Sequence, residues 1–339
     1  MGLPKALADY SALIGFPGSK TMERILEMLF GTDDEKRIAE SLPGTIGDIV
    51  SKTGFSLLQA ETALKELVRK GAVAQKLTEA GQYRLLPAMI ELRDSTVLCP
   101  DAPQELFELW DRIISSELEQ LIPLARSMKF DPLTRVLPIE KSIKSQDTVL
   151  DVDSARKIFE DADLITVIPC ACRTQAQRVG KRDSNCPAPK DSVCMQTNRF
   201  AEITLKRGVG KQIDKSEALR RLEAAEEAGL VHLVRNNVKK DMFMCNCCAC
   251  CCVGLHTLIR QYQYIEGIAK SRFSAMINES VCTACGVCAD RCLFGAISVD
   301  TVASVNPDLC FGCGNCVAVC PEEAFELVEA RPVECIRVK

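Results

Sequence analysis

Eight cysteines towards the C-terminal end of the sequence form two runs of identical spacing. Each run reads C-x2-C-x2-C-x3-C, and each cysteine of the second run lies 28 residues after its counterpart in the first. Thiolates at such intervals can wrap a tight loop around a metal centre, and Gly286 and Gly314 allow the backbone to approach it closely. We therefore predict two iron–sulfur centres. The runs are Cys282, Cys285, Cys288 and Cys292, and then Cys310, Cys313, Cys316 and Cys320.

These runs resemble those of bacterial two-cluster ferredoxins, and Pro321 after the last cysteine adds to the resemblance. In such ferredoxins the fourth cysteine of each run ligates the other cluster. The resemblance implies one 4Fe–4S cluster on Cys282, Cys285, Cys288 and Cys320. It implies a second cluster on Cys292, Cys310, Cys313 and Cys316. Zinc is the alternative, although zinc sites usually combine two C-x2-C pairs for each ion.

The whole chain is rich in cysteine for its size. It has 339 residues, enough for two or three domains, and 20 cysteines. Disulfide scaffolds belong mainly to small secreted domains, and the chain does not begin with the charged and then apolar pattern of a secretion signal. No stretch approaches the roughly 20 apolar residues that span a bilayer. We expect a cytoplasmic protein with no membrane span, whose thiols bind metal.

Charge is distributed unevenly along the chain. The net charge is −4, and residues 276–339 alone hold 4 Lys and Arg against 9 Asp and Glu. An acidic lobe of this kind can steer itself onto a basic surface of a partner protein. The chain lacks the basic footprint of a dedicated nucleic-acid binder, so nucleic acid is not an expected partner.

The N-terminal residues have the pattern of a winged helix. Apolar residues at helical spacing predict a helix over Thr21–Phe30, and Thr45 is a candidate N-cap of a second, short helix. A third helix is predicted over Phe55–Lys70. Two short strands, Ala72–Leu77 and Gly81–Leu85, would form the wing.

Many winged helices bind DNA, but the third helix does not favour that function here. The face that would enter a groove offers Gln59, Glu61, Thr62, Lys65 and Glu66, and two of these are acidic. DNA-reading helices usually present Arg, Lys, Asn and Gln. We therefore expect residues 1–95 to dock a protein or to form a homodimer, with DNA binding as the alternative.

Ten further cysteines lie in the middle of the chain, in two groups that follow predicted strands at Leu164–Ile168 and Leu230–Val234. Crowded thiolates without metal repel one another and oxidise readily, so metal binding is the favoured explanation. We predict one or two additional 4Fe–4S clusters here; a larger or non-cubane cluster and structural zinc are the alternatives. The partition of ligands between sites is left open. The first group is Cys170, Cys172, Cys186 and Cys194, and the second is Cys245, Cys247, Cys248, Cys250, Cys251 and Cys252.

One arginine, the two histidines and two isolated cysteines are the other residues that could bear on these metal sites. Arg173 directly follows the first cysteine pair and could donate to cluster sulfur or to a bound anion, with a surface salt bridge as the alternative. His232 is predicted to be structural, whereas His256 could lie near a cluster. Cys99 and Cys335 stand outside every group and are predicted not to be ligands.

The chain as a whole resembles a family of multi-domain iron–sulfur proteins of anaerobic bacteria. In that family, segments like Pro169–Arg173 and Cys245–Cys252 precede a ferredoxin domain. The resemblance implies an electron-transfer protein that serves a redox partner, as a subunit of an oxidoreductase complex. The expected fold is α+β and multi-domain. It comprises a winged-helix-like domain (1–95), a helical connector (96–150), a mixed α/β cysteine-rich iron–sulfur domain (151–275) and a two-cluster ferredoxin domain (276–339).

Two other classes of function remain as alternatives. A middle cluster that lacks a fourth protein ligand could bind substrate at an open iron, which would make the protein a reductase. The winged helix and the clusters together could form a redox-sensing transcription regulator. Flavin or nicotinamide binding is not supported, because Gly208–Lys211 lacks the third glycine and the preceding strand of a dinucleotide-binding motif.

Overall fold

A computed structural model describes residues 3–75, 81–129, 131–143, 150–239 and 242–336. The chain divides into two compact units. The first unit comprises the residues up to Leu124 together with Ala171–Lys181 and Ile203–Val209. The second comprises Ala125–Cys170, Arg182–Glu202 and the residues from Gly210 onward. The sequence-predicted boundaries at residues 95, 150 and 275 stay predictions.

Helices dominate the first 129 residues. Side-chain caps define where several of them start: Thr45 accepts a hydrogen bond from the backbone N–H of Asp48, and Ser56 accepts one from that of Gln59. The elements are α1 (Lys5–Leu13), α2 (Lys20–Leu29), α3 (Asp33–Ser41), α4 (Ile46–Thr53), α5 (Leu57–Lys70), β1 (Val73–Gln75), β2 (Tyr83–Leu85), α6 (Met89–Val97), α7 (Gln104–Arg112) and α8 (Ile122–Ser127).

The three predicted helices and the strand pair near the N-terminus are confirmed. Helices α2 and α5 begin and end within two residues of the predicted bounds, α4 begins directly after its predicted N-cap Thr45, and Gly71 ends α5 in the left-handed conformation. β1 and β2 pair antiparallel, with Ala74 opposite Arg84. Lys76 and Leu77, which were predicted to extend the first strand, lie outside the described residues. The assignment of these elements to a winged-helix fold stays a prediction.

The core of the first unit is built from the apolar faces of its helices. Trp110 on α7 is fully buried, and its indole N–H donates to the hydroxyl oxygen of Thr96 at 3.0 Å. Leu26 and Leu64 are buried in the same core. By contrast, Leu57 and Leu58 at the start of α5 are 55% and 72% exposed, so the apolar stripe of this helix is only partly used for packing.

The middle of the chain alternates short strands with helices. Asp214 caps the helix Lys215–Glu227 (α12) by accepting from the backbone N–H of Glu217 at 2.7 Å. The elements are β3 (Thr134–Leu137), α9 (Ala155–Glu160), β4 (Ile165–Ile168), α10 (Ala171–Arg178), β5 (Cys194–Thr197), α11 (Asn198–Lys206), β6 (Lys211–Ile213), α12 (Lys215–Glu227), β7 (Val231–Arg235) and β8 (Phe243–Cys247).

A six-stranded sheet organises the second unit. Its strand order is β3-β7-β8-β5-β4-β6, and every neighbouring pair is antiparallel. The prediction that both middle cysteine groups follow strands is wrong for part of the set. Cys194 lies within β5, and Cys245 and Cys247 lie within β8.

The C-terminal elements repeat with the same 28-residue offset as the cysteines. β9 pairs antiparallel with β12, with Ile277 opposite Phe325, and β10 pairs with β11, with Ile297 opposite Val305. The two pairings have the same register, because Phe325 and Val305 are the repeat counterparts of Ile297 and Ile277. The elements are a π-helical turn at Val253–Gln261, β9 (Phe273–Ile277), α13 (Val287–Arg291), β10 (Ile297–Val299), β11 (Ala303–Val305), α14 (Asn315–Val319) and β12 (Phe325–Glu329).

Among the described residues, no helix has the length and apolar character needed to cross a membrane.

Candidate metal centres

A cavity in the C-terminal repeat brings together cysteines from both runs. Cys282, Cys285 and Cys288 line it, and Cys320, from the second run, lines it too. Pro321 and Phe325 complete part of its wall. We call these four cysteines centre one. Cys285 is exposed whereas Cys288 is buried, so the cavity opens on the side of Cys285.

The remaining cysteines of the two runs form a second, more enclosed group. Cys292 lies close enough to Cys313 and Cys316 to influence the ionisation of both, and Cys310 does the same. Burial is the main cause that raises the pKa of the Cys313 thiol, to about 12, and burial likewise raises the pKa of Cys316. A bound metal would supply the positive charge that these thiols need in order to deprotonate. We call Cys292, Cys310, Cys313 and Cys316 centre two.

Backbone N–H groups donate to the cysteine sulfurs in a pattern that links the two repeats. The N–H of Ala303 donates to Sγ of Cys282 at 3.4 Å, and the N–H of Ala275 donates to Sγ of Cys310 at 3.4 Å. Each repeat thus supplies a donor to the other repeat. Hydrogen bonds to cluster ligands are one of the means by which a protein sets a reduction potential.

The fourth cysteine of each run receives its hydrogen bond locally. The N–H of Ala296 donates to Sγ of Cys292 at 3.3 Å, and the N–H of Ala324 donates to Sγ of Cys320 at 3.3 Å. These donors stand four residues after their acceptors in both repeats. The sulfur atoms of Cys292 and Cys320 therefore accept the same local backbone hydrogen bond in the two repeats.

Centre two packs against the interior of the second unit. The backbone N–H of Ile139 donates to the carbonyl oxygen of Cys313 at 2.9 Å. Phe311 is buried and stacks on Phe294, with ring centroids 4.2 Å apart. The same apolar core contains Cys247 and is contacted by Cys313. Centre two is thus the inner of the two centres, and centre one is the outer.

Comparison with known families agrees with this arrangement. A family model described as a 4Fe-4S binding domain matches residues 303–326, which include the whole second cysteine run. The chain carries a 4Fe–4S ferredoxin domain. No curated protein and no solved structure gives a significant match to the chain. The thiol-only donor sets of centres one and two fit the clusters that such a ferredoxin domain binds.

Outside the ferredoxin domain, four middle cysteines converge from both sequence groups. The Sγ atoms of Cys186, Cys248, Cys250 and Cys251 all lie within 4.8 Å of one another. Cys186 is carried by the loop after α10, and the other three lie on the turn that follows β8. We call these four residues the thiol quartet. The sequence did not reveal this combination, because Cys186 is 62 residues from Cys248.

A further group of thiols lies on β8 and just after its turn. Cys247 is in side-chain contact with both Cys245 and Cys252, and these contacts and its burial raise the pKa of its thiol well above the ordinary value. We call these three residues the thiol triad. The register of β5 on β8 pairs Met195 with Met244, which places Cys194 opposite Cys245. The triad belongs to the core that Cys313 contacts, so it adjoins centre two.

The first unit holds Cys172, Arg173 and Arg93. Arg173, the predicted contact to a cluster or anion, is buried on α10. Arg93, to which the sequence did not point, is buried, and its Nη1 donates to Sγ of Cys172 at 3.3 Å. Its Nε donates to the side-chain oxygen of Gln175 at 2.6 Å. An arginine 79 residues from the cysteine in sequence carries no signal of this contact.

The two histidines differ in their surroundings. His232 is buried on β7, and its Nδ1 is 2.5 Å from the side-chain oxygen of Asn246, which agrees with the predicted structural role. His256 is exposed, and its Nδ1 lies 3.0 Å from the carbonyl oxygen of Ala249. Because a carbonyl oxygen only accepts hydrogen bonds, Nδ1 of His256 must carry the proton. Ala249 lies between quartet residues, so His256 contacts the quartet turn.

Proposed function

We propose that this protein relays electrons through two 4Fe–4S clusters, one on centre one and one on centre two. The observation that carries the proposal is the shared cavity of Cys282, Cys285, Cys288 and Cys320, which supports the crossed ligand sets. When bound, such a cluster supplies one-electron transfer at a potential set by its surroundings. The chain's own residues supply the thiolates, the N–H donors to sulfur and the packing that excludes water.

The two centres differ in exposure, so one end of the relay would be accessible to a partner protein and the other end would be buried. Cys285 of centre one is exposed, whereas Cys310 and Cys316 of centre two are buried. A partner protein would therefore exchange electrons at centre one. Centre two, which contacts the same core as the triad, would pass them to or from the interior of the second unit.

The thiol triad supports the proposal of an additional cluster in the middle of the chain. Cys245, Cys247 and Cys252 supply three thiols, and Cys194 stands opposite Cys245 in the sheet. With all four as ligands the site would extend the relay. With only three it would leave an iron open to substrate, which is the reductase alternative. The contact between Arg93 and Cys172 lies in the first unit and is not part of this triad site.

The partner that best fits the outer centre is a basic redox protein. Glu322 lines the cavity of centre one, and Glu323 and Asp290 are exposed nearby in sequence. Complementary charge mainly accelerates encounter, and salt screens it. We propose an oxidoreductase as this partner, with the present chain as its electron-transfer subunit.

For residues 1–95 we propose a winged-helix fold with a protein-docking role. Two exposed leucines, Leu57 and Leu58, lie on α5 together with the exposed acidic Glu61. An apolar and partly acidic helix face suits a protein partner, or a second copy of the chain, better than phosphate. Specific DNA binding by this region would instead support the regulator alternative.

Electron transfer to a basic acceptor tests the proposal directly. The anaerobically purified full chain is reduced with dithionite, excess reductant is removed, and the reduction of cytochrome c is followed by stopped flow at increasing ionic strength. We expect transfer whose rate falls as salt rises, and falls less steeply in the double variant E322Q/E323Q. A protein whose reduced clusters fail to reduce the acceptor at low salt would contradict the relay.

A further inference from the structure

The thiol quartet differs in its dimensions from the ferredoxin centres. Sγ of Cys186 lies 3.8 Å from Sγ of Cys248, and Sγ of Cys250 lies 3.5 Å from Sγ of Cys251. All four sulfurs lie within 4.8 Å of one another, and the Cys186–Cys248 and Cys250–Cys251 distances are below 4 Å.

These distances match the size of a site for one metal ion. With a zinc–sulfur bond of about 2.3 Å, four thiolates around one ion stand about 3.8 Å apart. A 4Fe–4S cube places each thiolate on a different iron, so its four sulfurs must be farther apart. The measured distances of 3.5 Å and 3.8 Å agree with the single ion.

The ferredoxin domain provides an internal comparison. Cys282, Cys285, Cys288 and Cys320 line one cavity, yet their sulfur atoms do not all lie within 4.8 Å of one another, as those of the quartet do. Elsewhere in the part of the chain that the structure describes, no group of three or more potential ligand atoms is as closely spaced as the quartet. The same structure thus contains two kinds of four-thiol site, one wide and one compact.

We propose that Cys186, Cys248, Cys250 and Cys251 bind a single zinc ion. A tetrahedral set of four thiolates is the usual donor set of a structural zinc site, and it leaves no coordination position open. Divalent iron could occupy the same geometry, but thiolate sites bind zinc more tightly than iron in the order of divalent affinities. This site would be structural, so the inference goes beyond the electron relay.

The surrounding backbone already holds the ligands in place. On the Cys186 loop, the N–H of Asn185 donates to Oδ1 of Asp183 at 2.8 Å, and the N–H of Cys186 donates to the carbonyl oxygen of Asp183 at 3.1 Å. On the other side, His256 contacts the carbonyl oxygen of Ala249 within the turn. A zinc ion would join these two prearranged segments and fix the loop that leads into β5.

Metal analysis of single-cysteine variants tests the site. The full chain, purified anaerobically, is analysed for zinc, iron and acid-labile sulfide. We expect about one zinc per chain, most of which is lost in C186S and C250S, while iron and sulfide stay at the wild-type level. C335S, which alters an exposed cysteine outside every group, is the matched control and should retain zinc.

Three further measurements keep the test independent of folding failure. C186H, which preserves a zinc ligand, should retain the ion. Replacement of zinc by Co²⁺ in the wild type should produce sulfur-to-cobalt charge-transfer absorption that C186S lacks. Amide hydrogen exchange across residues 183–191 should accelerate in C186S and remain unchanged in C186H and C335S.

Specific results would overturn the proposal. Loss of iron together with sulfide in C186S would show that the quartet ligates a cluster. Loss of iron with no loss of sulfide in C186S would show that the single ion is iron. A wild-type chain that contains no zinc, and whose C186S variant has unchanged metal content, would show that the quartet binds no metal. None of these results would affect the electron relay, which depends on the ferredoxin centres.

Discussion

Gly286 and Gly314, one repeat apart, share the same left-handed backbone, with φ of 82° and 85°, but differ in their surroundings. A Cβ added at Gly286 would meet no heavy atom within 4 Å. A Cβ added at Gly314 would lie 2.8 Å from Oγ and 2.9 Å from Cβ of Ser142. The second repeat is therefore enclosed by the rest of its unit at the point where the first repeat faces open space.

This difference predicts unequal effects of one substitution at two matched positions. G286A should cost only the backbone strain of a left-handed alanine, about 1–2 kcal/mol. G314A carries the same strain and adds an overpacking cost of about 1–3 kcal/mol against Ser142. Denaturant unfolding of the full chain would measure both, and G314A/S142G should recover part of the loss. Equal destabilisation by the two single variants would contradict the enclosure of the second repeat.

Crossed ligation predicts which cluster each fourth cysteine affects. Since Cys320 lines the cavity of Cys282, Cys285 and Cys288, C320S should damage the cluster of centre one. C292S should damage that of centre two. Low-temperature EPR of the reduced protein, with C285S and C316S as references for the two centres, distinguishes them. If the spectrum of C320S matches that of C316S, each run holds its own cluster and the crossed assignment is wrong.

The thiol triad predicts more iron than the ferredoxin domain can hold. Two 4Fe–4S clusters account for about eight irons, so anaerobically purified protein should contain clearly more. C247S should remove about four irons and leave the EPR signals of centres one and two in place, because Cys247 belongs to neither. C99S is a matched control, since Cys99 is also buried but lies in the first unit beside Asp101. A wild-type content of about eight irons would eliminate the additional cluster.

A buried ion pair predicts a large effect of one arginine on stability. Arg272 and Asp153 are both buried and form a salt bridge, and Arg272 also contacts Glu329 at 2.6 Å. R272M would leave the carboxylate of Asp153 buried without its cation, which typically costs about 3–5 kcal/mol. E329Q should cost no more than about 1 kcal/mol, because the Glu329 side chain is 41% exposed.

A double variant completes this test by urea unfolding. R272M/D153L removes both charges of this pair, but it also takes from the buried Arg135 the carboxylate with which it interacts, so the double variant should recover only part of the stability lost in R272M. A double variant that is as unstable as R272M, with unchanged cluster content, would show that packing by the arginine stem matters more than the charge pair.

The features that could be predicted from the sequence are those encoded by local spacing. The 28-residue offset of the cysteines predicts the repeated centres, and Thr45 predicts a helix start that the structure confirms. Capping and helical periodicity depend on residues within one or two turns. They can therefore be recognised without knowledge of the tertiary fold.

The features that escaped prediction depend on contacts between distant segments. Cys186 lies close to Cys248 because β5 pairs with β8, which brings the segment before β5 next to the turn after β8. No local sequence pattern predicts that pairing. Arg93 reaches Cys172 by packing of α6 and α10, whereas sequence adjacency had drawn attention to Arg173. Cys245 and Cys247 were predicted to follow a strand, and the short strand that contains them was missed because the cysteine-rich residues Cys245–Cys252 hide its alternation.

The position of Cys320 in the cavity of centre one also constrains the order in which the protein is made. A nascent chain that has emerged only as far as Cys292 presents three of the four thiols that line this cavity. The fourth follows 28 residues later, and the N–H of Ala303 that donates to Cys282 also belongs to that later stretch. The outer centre, although encoded first, therefore cannot be completed on the ribosome before the inner one has been synthesised, and iron delivered too early would meet an incomplete set of thiols.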